Sequence, residues 1–286
     1  MRRIIMIITV CLVAFALAAG LSSCGGSPES REKSSKTEAE EEQEREEPEE
    51  RNGSEQTEET EQEEEMDIRE AVDNITINTQ SSIRIDGSKI IYVDPYKRKE
   101  APHDADLILI THAHYDHFDE PSLRNVAGDD TIVICPESMK NEVAGLGIGK
   151  SLLTAEAGKT VKLGDESYGV TVEAVPAYNL NKQFHPKSNG WLGYIITADG
   201  VRYYAAGDTD ALPELEDVAC DIAMVPAGGT YTMTASEAAG LVNRISPEYA
   251  IPIHYGTIVG TAADADTFRA AVDGGIKVVT KVEDAK

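Results

Sequence analysis

The chain has no run rich in Lys and Arg: 26 basic side chains stand against 51 acidic ones, and the formal net charge is -25. Phosphate contacts need clustered cations, so nucleic acid is excluded as a large partner. Long apolar runs are also missing. The stretch Ile4 to Ala19 covers 16 residues, short of the roughly 20 that cross a bilayer. Cysteine is scarce. Cys11 and Cys24 lie near the N-terminus, while Cys135 and Cys220 sit in separate strand-like apolar contexts, where cysteine usually serves as a small buried hydrophobe. No disulfide is expected between them.

What the N-terminal region does contain reads as an address. Met1-Arg2-Arg3 is a short basic head, the apolar stretch follows, and Leu21-Ser22-Ser23-Cys24 precedes Gly25-Gly26-Ser27. This order suits an export signal and resembles a bacterial lipobox, which implies cleavage and acylation at Cys24. Residues 25–66 carry 18 Glu against 5 Lys or Arg and almost no apolar side chains. Such a tract cannot bury enough surface to offset its ordering entropy and extends by self-repulsion, so a disordered linker is expected. The expected organisation is a signal peptide over 1–24, an acidic linker over 25–66 and one catalytic-sized domain over 67–286. The domain would stand outside the cytoplasm, held to the membrane by its lipid.

From Asp73 the pattern changes to short β-type runs. Ile75-Thr76-Ile77 and Ser82-Ile83-Arg84-Ile85 alternate with period two, and Asp86-Gly87 is a hairpin signal leading into Ile90-Ile91-Tyr92-Val93. Pro121 to Ala127 and Glu137 to Leu146 read as helices. Val161 to Leu163 and Val170 to Val175 read as strands about a Gly164-Asp165 turn. One arrangement then repeats: an apolar strand, then a polar cluster at its end. Leu107 to Ile110 runs into Thr111-His112-Ala113-His114-Tyr115-Asp116-His117; Val201 to Ala206 into Gly207-Asp208-Thr209-Asp210; Ile222 to Val225 into Pro226-Ala227-Gly228-Gly229; Ala250 to Ile253 into His254-Tyr255-Gly256. Thr234-Ala235-Ser236-Glu237 is a capping box that opens a helix through Ile245. Chemistry at strand ends indicates a layered α/β domain.

Three of the six histidines and an aspartate fall within six residues, His112 to His117. In extended backbone, residues two apart point the same way, so His112 and His114 can share one ion while Asp116 and His117, beyond a turn, reach a neighbouring one. His112-x-His114-x-Asp116-His117 resembles the signature of the metallo-β-lactamase fold superfamily of metal-dependent hydrolases. The resemblance implies a four-layer αββα sandwich over roughly residues 68–280, with two divalent cations at one edge. It also implies Asp208 as the bridging carboxylate, His254 as the last histidine ligand and Asp94 as a carboxylate supporting the metal loop from behind. Asp94-Pro95-Tyr96, Ala177-Tyr178-Asn179, Gly207-Asp208-Thr209-Asp210 and Pro252-Ile253-His254-Tyr255-Gly256 are similar to the branch related to L-ascorbate-6-phosphate lactonases.

The third family histidine is where the chain departs. Its usual place reads Val175-Pro176-Ala177-Tyr178-Asn179, and the nearest histidine is His185. Three options stand: His185 as ligand, Asn179 through its amide oxygen, or water. His185 is preferred because imidazole is the better ligand for zinc-like ions. His103 matches nothing and is expected on the surface. Tyr178, Trp191, Thr230, Tyr231 and Tyr255 flank the site, as pocket walls or as core packing.

The ligand set then reads His112, His114 and His185 for one metal, Asp116, His117 and His254 for the other, and Asp208 between them. Imidazole and carboxylate without thiolate suit zinc first, with manganese or iron also accommodated. The resemblance implies a metal-bound hydroxide as nucleophile, with Asp116 orienting it or accepting its proton, and a small-molecule lactone or phosphodiester as substrate. The absence of a ligand cysteine in the Gly-Asp turn argues against the antibiotic-hydrolysing branch that uses one. The competing reading is a tethered metal or ligand binder that lost catalysis with its third histidine.

Overall fold

Period-two apolar patterning sorts the strands into two sheets. The computed structural model describes residues 66–164 and 166–285; the expected signal peptide, Cys24 and the acidic tract up to Glu65 lie outside the described residues. The first sheet holds β1 (Ile75–Ile77), β2 (Ile83–Asp86), β3 (Ile90–Val93), β4 (Ala105–Leu109), β5 (Ala127–Pro136) and β6 (Ser151–Ala155), in that spatial order. β1 to β3 form an antiparallel meander turned at Asp86-Gly87, and β3 to β6 run parallel.

The second sheet holds β7 (Lys159–Val161), β8 (Val170–Pro176), β9 (Leu192–Ala198), β10 (Val201–Ala205), β11 (Ile222–Pro226), β12 (Tyr249–Ile253) and β13 (Lys277–Val278). β7 to β10 are antiparallel and β10 to β13 parallel. The helices are α1 (Ile68–Asp73), α2 (Glu120–Val126), α3 (Lys140–Leu146), α4 (Ala235–Ile245) and α5 (Ala262–Ala271).

Three apolar clusters separate four layers. The central one joins the sheets face to face, through Ile77, Ile85, Ile91 and Leu107 on one side and Val172, Tyr194, Tyr203 and Ile251 on the other. A second lies between the first sheet and α2 and α3, where Leu123, Val126, Met139 and Val143 meet Tyr92, Ile108 and Val133. The third lies between the second sheet and α4 and α5, where Ala238, Leu241, Val242 and Phe268 meet Tyr204, Val225 and Ala250. This is an αββα sandwich. Cys135 and Cys220 are both free and belong to the two different outer clusters.

α4 begins where its capping box places it: Glu237 N donates to Thr234 Oγ1 at 3.3 Å and Thr234 N to Glu237 Oε2 at 2.8 Å. One expectation needs correction. β7 ends at Val161, and a 3-10 turn over Glu166–Tyr168 stands before β8 in place of the tight hairpin, while Leu163 joins the central cluster. The metal loop turns directly after His114, as expected: His117 N and Phe118 N both donate to His114 O, at 2.9 and 2.8 Å. Among the described residues no helix is long and apolar enough to cross a membrane.

Candidate metal centre

The parallel strands of both sheets discharge their C-terminal ends at one rim. Asp94 follows β3, the His112 to His117 loop follows β4, Asp208 follows β10 and His254 follows β12. The rim is stitched across the sandwich: Leu192 N donates to Thr111 O at 3.1 Å, and Tyr194 Oη to Ile110 O at 2.7 Å. Asp94, His185 and His254 have φ of 46°, 61° and 56°. Non-glycine residues take this left-handed conformation at a cost of about 1–3 kcal/mol, and it persists where the surroundings over-determine it. Gly207 (φ 64°) makes the turn that delivers Asp208, and a Cβ there would lie 2.8 Å from Leu192 O.

Besides Asp94 with His112 and His117, the donor atoms gather in two groups, His112, His114, His185 and Asp208, and Asp116, His117 and His254, each with its ligand atoms within 4.8 Å of one another. Asp208 touches both. Its Oδ1 is 3.3 Å from His117 Nε2, while its Oδ2 is 3.2 Å from His185 Nε2, 3.3 Å from His254 Nε2 and 3.9 Å from His112 Nε2. Asp116 Oδ2 is 3.4 Å from His254 Nε2 and 3.7 Å from His117 Nε2.

Hydrogen bonding behind the rings decides which nitrogen faces inward. Thr111 Oγ1 donates to Asp94 Oδ2 at 2.5 Å, so the same hydroxyl accepts from His112 Nδ1 at 2.9 Å. His117 Nδ1 donates to Asp94 Oδ2 at 2.7 Å. Both rings therefore turn Nε2 toward the centre, the nitrogen a cation would take, as expected of metal-binding histidine with a carboxylate behind it. Burial, together with the neighbouring His117 and His185 rings, pushes His112 well below and His114 below the usual imidazole range.

These residues fit bound metal. His117 Nε2, Asp208 Oδ1 and both ring nitrogens of His254 are buried without a hydrogen-bond partner. His112 Nε2 faces His114 Nδ1 at 3.1 Å and His185 Nε2 at 3.3 Å, nitrogens that a shared cation would reconcile. Asp94, Asp116 and Asp208 are all buried, and among the described residues their ion pairs are with histidine alone. Buried carboxylates need a cationic counterpart.

Of the three options for the departing ligand, the structure brings His185 to the centre and sets Asn179 behind it. Asn179 Nδ2 donates to Phe184 O at 2.9 Å and Tyr231 O at 2.7 Å, and Asn179 N donates to His185 O at 2.8 Å. The loop is anchored again at Asp210, which accepts from Leu180 N at 2.8 Å and pairs with Lys182. Trp191 packs its ring 5.0, 4.9 and 5.4 Å from those of His112, His114 and His185. Tyr178 and Tyr255 are buried, and His103 is exposed. Above the centre lies a cavity of about 330 Å³, walled by Tyr115, Phe184, Tyr231 and Ile258 over His114, Asp116, His185, Asp208 and His254. Phe184 and Ile258 carried no signal in sequence, since isolated apolar loop residues match no motif.

This fold, with histidines and aspartates at one edge of paired sheets, defines a class. The chain matches the family described as beta-lactamase superfamily domain over residues 73–255. It belongs to the metallo-β-lactamase superfamily and is one of its metal-dependent hydrolases. A Pyrococcus furiosus protein named as a UPF0173 metal-dependent hydrolase is 33% identical over 72% of this chain and 94% of its own length. A Thermococcus onnurineus protein of the same name is 32% identical over 70% and 92%. The crystal structure of a protein described as a metal-dependent hydrolase from Parabacteroides distasonis is 35% identical, with a TM-score of 0.60 over 74% of this chain and 93% of that one.

Proposed function

We propose that the protein hydrolyses an ester-type bond, in a lactone or a phosphodiester, using two divalent cations, while tethered to the outer face of a bacterial membrane. His112, His114 and His185 would hold one cation and Asp116, His117 and His254 the other, with Asp208 between the two groups. Zinc suits the donor set first, with manganese or iron as further candidates. Bound there, the pair supplies a water of lowered pKa and Lewis-acid polarisation of the scissile group. Asp116, on the cavity wall beside His254, orients the attacking water and takes its proton, which then passes to the leaving oxygen. No Ser, Cys or Lys nucleophile is required.

The observation that carries this reading is the pair of inward Nε2 atoms on His112 and His117, set by Asp94, facing buried carboxylates without Lys or Arg. The tether rests on the basic head, the short apolar run and Cys24 in Leu21-Ser22-Ser23-Cys24. Metal analysis of the purified protein should find close to two ions per chain. Turnover of a panel of lactones, aryl phosphodiesters and β-lactams should include at least one substrate whose hydrolysis stops on chelation and returns with metal. A protein with one ion or none, inert across that panel, is a binder and not a hydrolase. Cys24→Ser should abolish incorporation of labelled fatty acid and leave the chain uncleaved; labelling that persists in the variant, or is absent from the wild type, would rule out the lipid anchor at Cys24.

A further inference from the structure

We propose that the cavity takes an uncharged acyl compound, a lactone or ester, that carries an aromatic or apolar arm, and that it disfavours phosphate-bearing substrates. This rests on the hydrolase reading above and chooses within it.

The walls make the case by their chemistry. Tyr115, Phe184, Tyr231 and Ile258 surround the mouth, and neither Lys nor Arg is among the lining residues. Two nearby basic side chains are engaged elsewhere: Lys182 pairs with Asp210, and Lys187 donates to Glu214 Oε1 at 2.8 Å and Tyr178 Oη at 3.1 Å. Lys97 lies over the Tyr96 ring at 5.0 Å, behind the Tyr115 wall and outside the cavity lining. Phosphate recognition uses Arg forks, Lys or helix N-termini aimed at the anion. Here the non-metal part of the cavity offers an anion no such partner, and the floor already holds Asp116 and Asp208.

The aromatic wall is a built feature. One amide nitrogen, Asn179 Nδ2, holds the backbone carbonyls of both Phe184 and Tyr231, and the two rings meet edge to face with centroids 5.1 Å apart at 89°. Tyr115 is braced against Tyr96 at 6.1 Å and 73°. Yet Tyr115 stays 64% exposed and Phe184 43%, two of the three large hydrophobic side chains most open to solvent among the described residues. Apolar surface held rigid and left wet at the mouth of a concave site gains free energy when an apolar arm covers it. The volume of about 330 Å³ suits one ring and a small acyl group. In the reaction, the water oxygen bonds to the acyl carbon, the acyl C–O bond breaks with its electron pair on the leaving oxygen, and that oxygen takes the proton. A lactone yields a hydroxy acid.

The test compares substrates on the full-length, metal-loaded protein. A phenyl-substituted γ-lactone should exceed a bis-aryl phosphodiester and a phosphorylated lactone in kcat/KM by about 100-fold, the scale that unmatched polar groups impose. Preference for either phosphate compound overturns the proposal. Phe184→Ala should raise KM for the phenyl lactone about 10-fold, as loss of an aromatic contact predicts, with a smaller change for the unsubstituted lactone; equal changes for both also overturn it. Trp191, the single tryptophan, packs on three of the site histidines and reports binding without turnover. A neutral phenyl-substituted γ-lactam should alter its fluorescence and bind more weakly to Phe184→Ala. If that holds while no substrate turns over, the hydrolase reading has failed and the pocket assignment stands; a lactam that does not bind, or binds equally to the variant, removes the pocket assignment itself.

Discussion

His117 Nδ1 lies 2.7 Å from Asp94 Oδ2, and both side chains are buried. The same oxygen accepts from Thr111 Oγ1, and the other accepts from Thr111 N at 2.8 Å. One carboxylate thus orients two imidazoles, His117 directly and His112 through a hydroxyl. Asp94→Asn keeps the shape but replaces one acceptor with a donor, which must face either the Thr111 backbone N–H or both the threonine hydroxyl and the histidine N–H. Metal affinity is expected to fall about 10- to 100-fold. Calorimetric titration of the chelated protein measures this, and unchanged affinity would remove Asp94 from the orienting role.

Asn179 is expected to act on only one of the two proposed metal positions. Its amide nitrogen satisfies Phe184 O and Tyr231 O and so shapes the loop that carries His185, whereas Asp116, His117 and His254 stand on other segments. Asn179→Ala leaves two carbonyls without that donor and should destabilise the fold by about 1–3 kcal/mol. Under a competing chelator one ion should leave well before the other. Simultaneous loss of both, or wild-type retention of both, would contradict this division of labour.

The metal-free protein should be sensitive to alkali. Burial opposes a charged His117, but Asp208 and Asp94 overcome it and hold the imidazole pKa near about 9, above the ordinary 6.5. A folded pKa above the unfolded one contributes stability that is full below about pH 6.5 and is lost as pH rises through about 9. Asp208 runs the opposite way: burial disfavours its charge, yet His254 and His117 hold its carboxyl well below 3.8, so its contribution is present above that value and lost in acid. Chelated protein should lose on the order of 3 kcal/mol between pH 6.5 and 9, read as a falling Tm. Saturating metal should flatten the curve, since a cation takes the proton's place. A Tm for the chelated protein that is level or rising across that range would refute the account.

The elements legible in sequence were those with strong local signals. Ile75 to Val93 alternates cleanly about Asp86-Gly87, and Thr234 to Glu237 announces α4 by its capping box. The elements passed over are weakly apolar. α5 buries only Ala265 and Phe268, although Thr261 and Asp264 cap it, β6 is half-buried along most of its length, and α1 and β13 are short. Their positions depend on packing, for which local pattern is a poor guide.

By itself, the sequence determined which side chains are able to hold a metal. Four potential ligands in six residues, and an Asp and a His each closing an apolar strand, are properties of neighbours along the chain, and strand ends place such residues on one rim whatever the loops do. Tertiary structure alone placed His185 and Asn179, because their positions depend on how a loop folds back: the amide grips Phe184 and Tyr231 while the imidazole swings to Asp208. It alone assembled the cavity wall, since Tyr115, Phe184, Tyr231 and Ile258 come from separate loops. Contacts between residues far apart in the chain arise only once both sheets have packed and their loops have closed, and no short-range pattern encodes that distance.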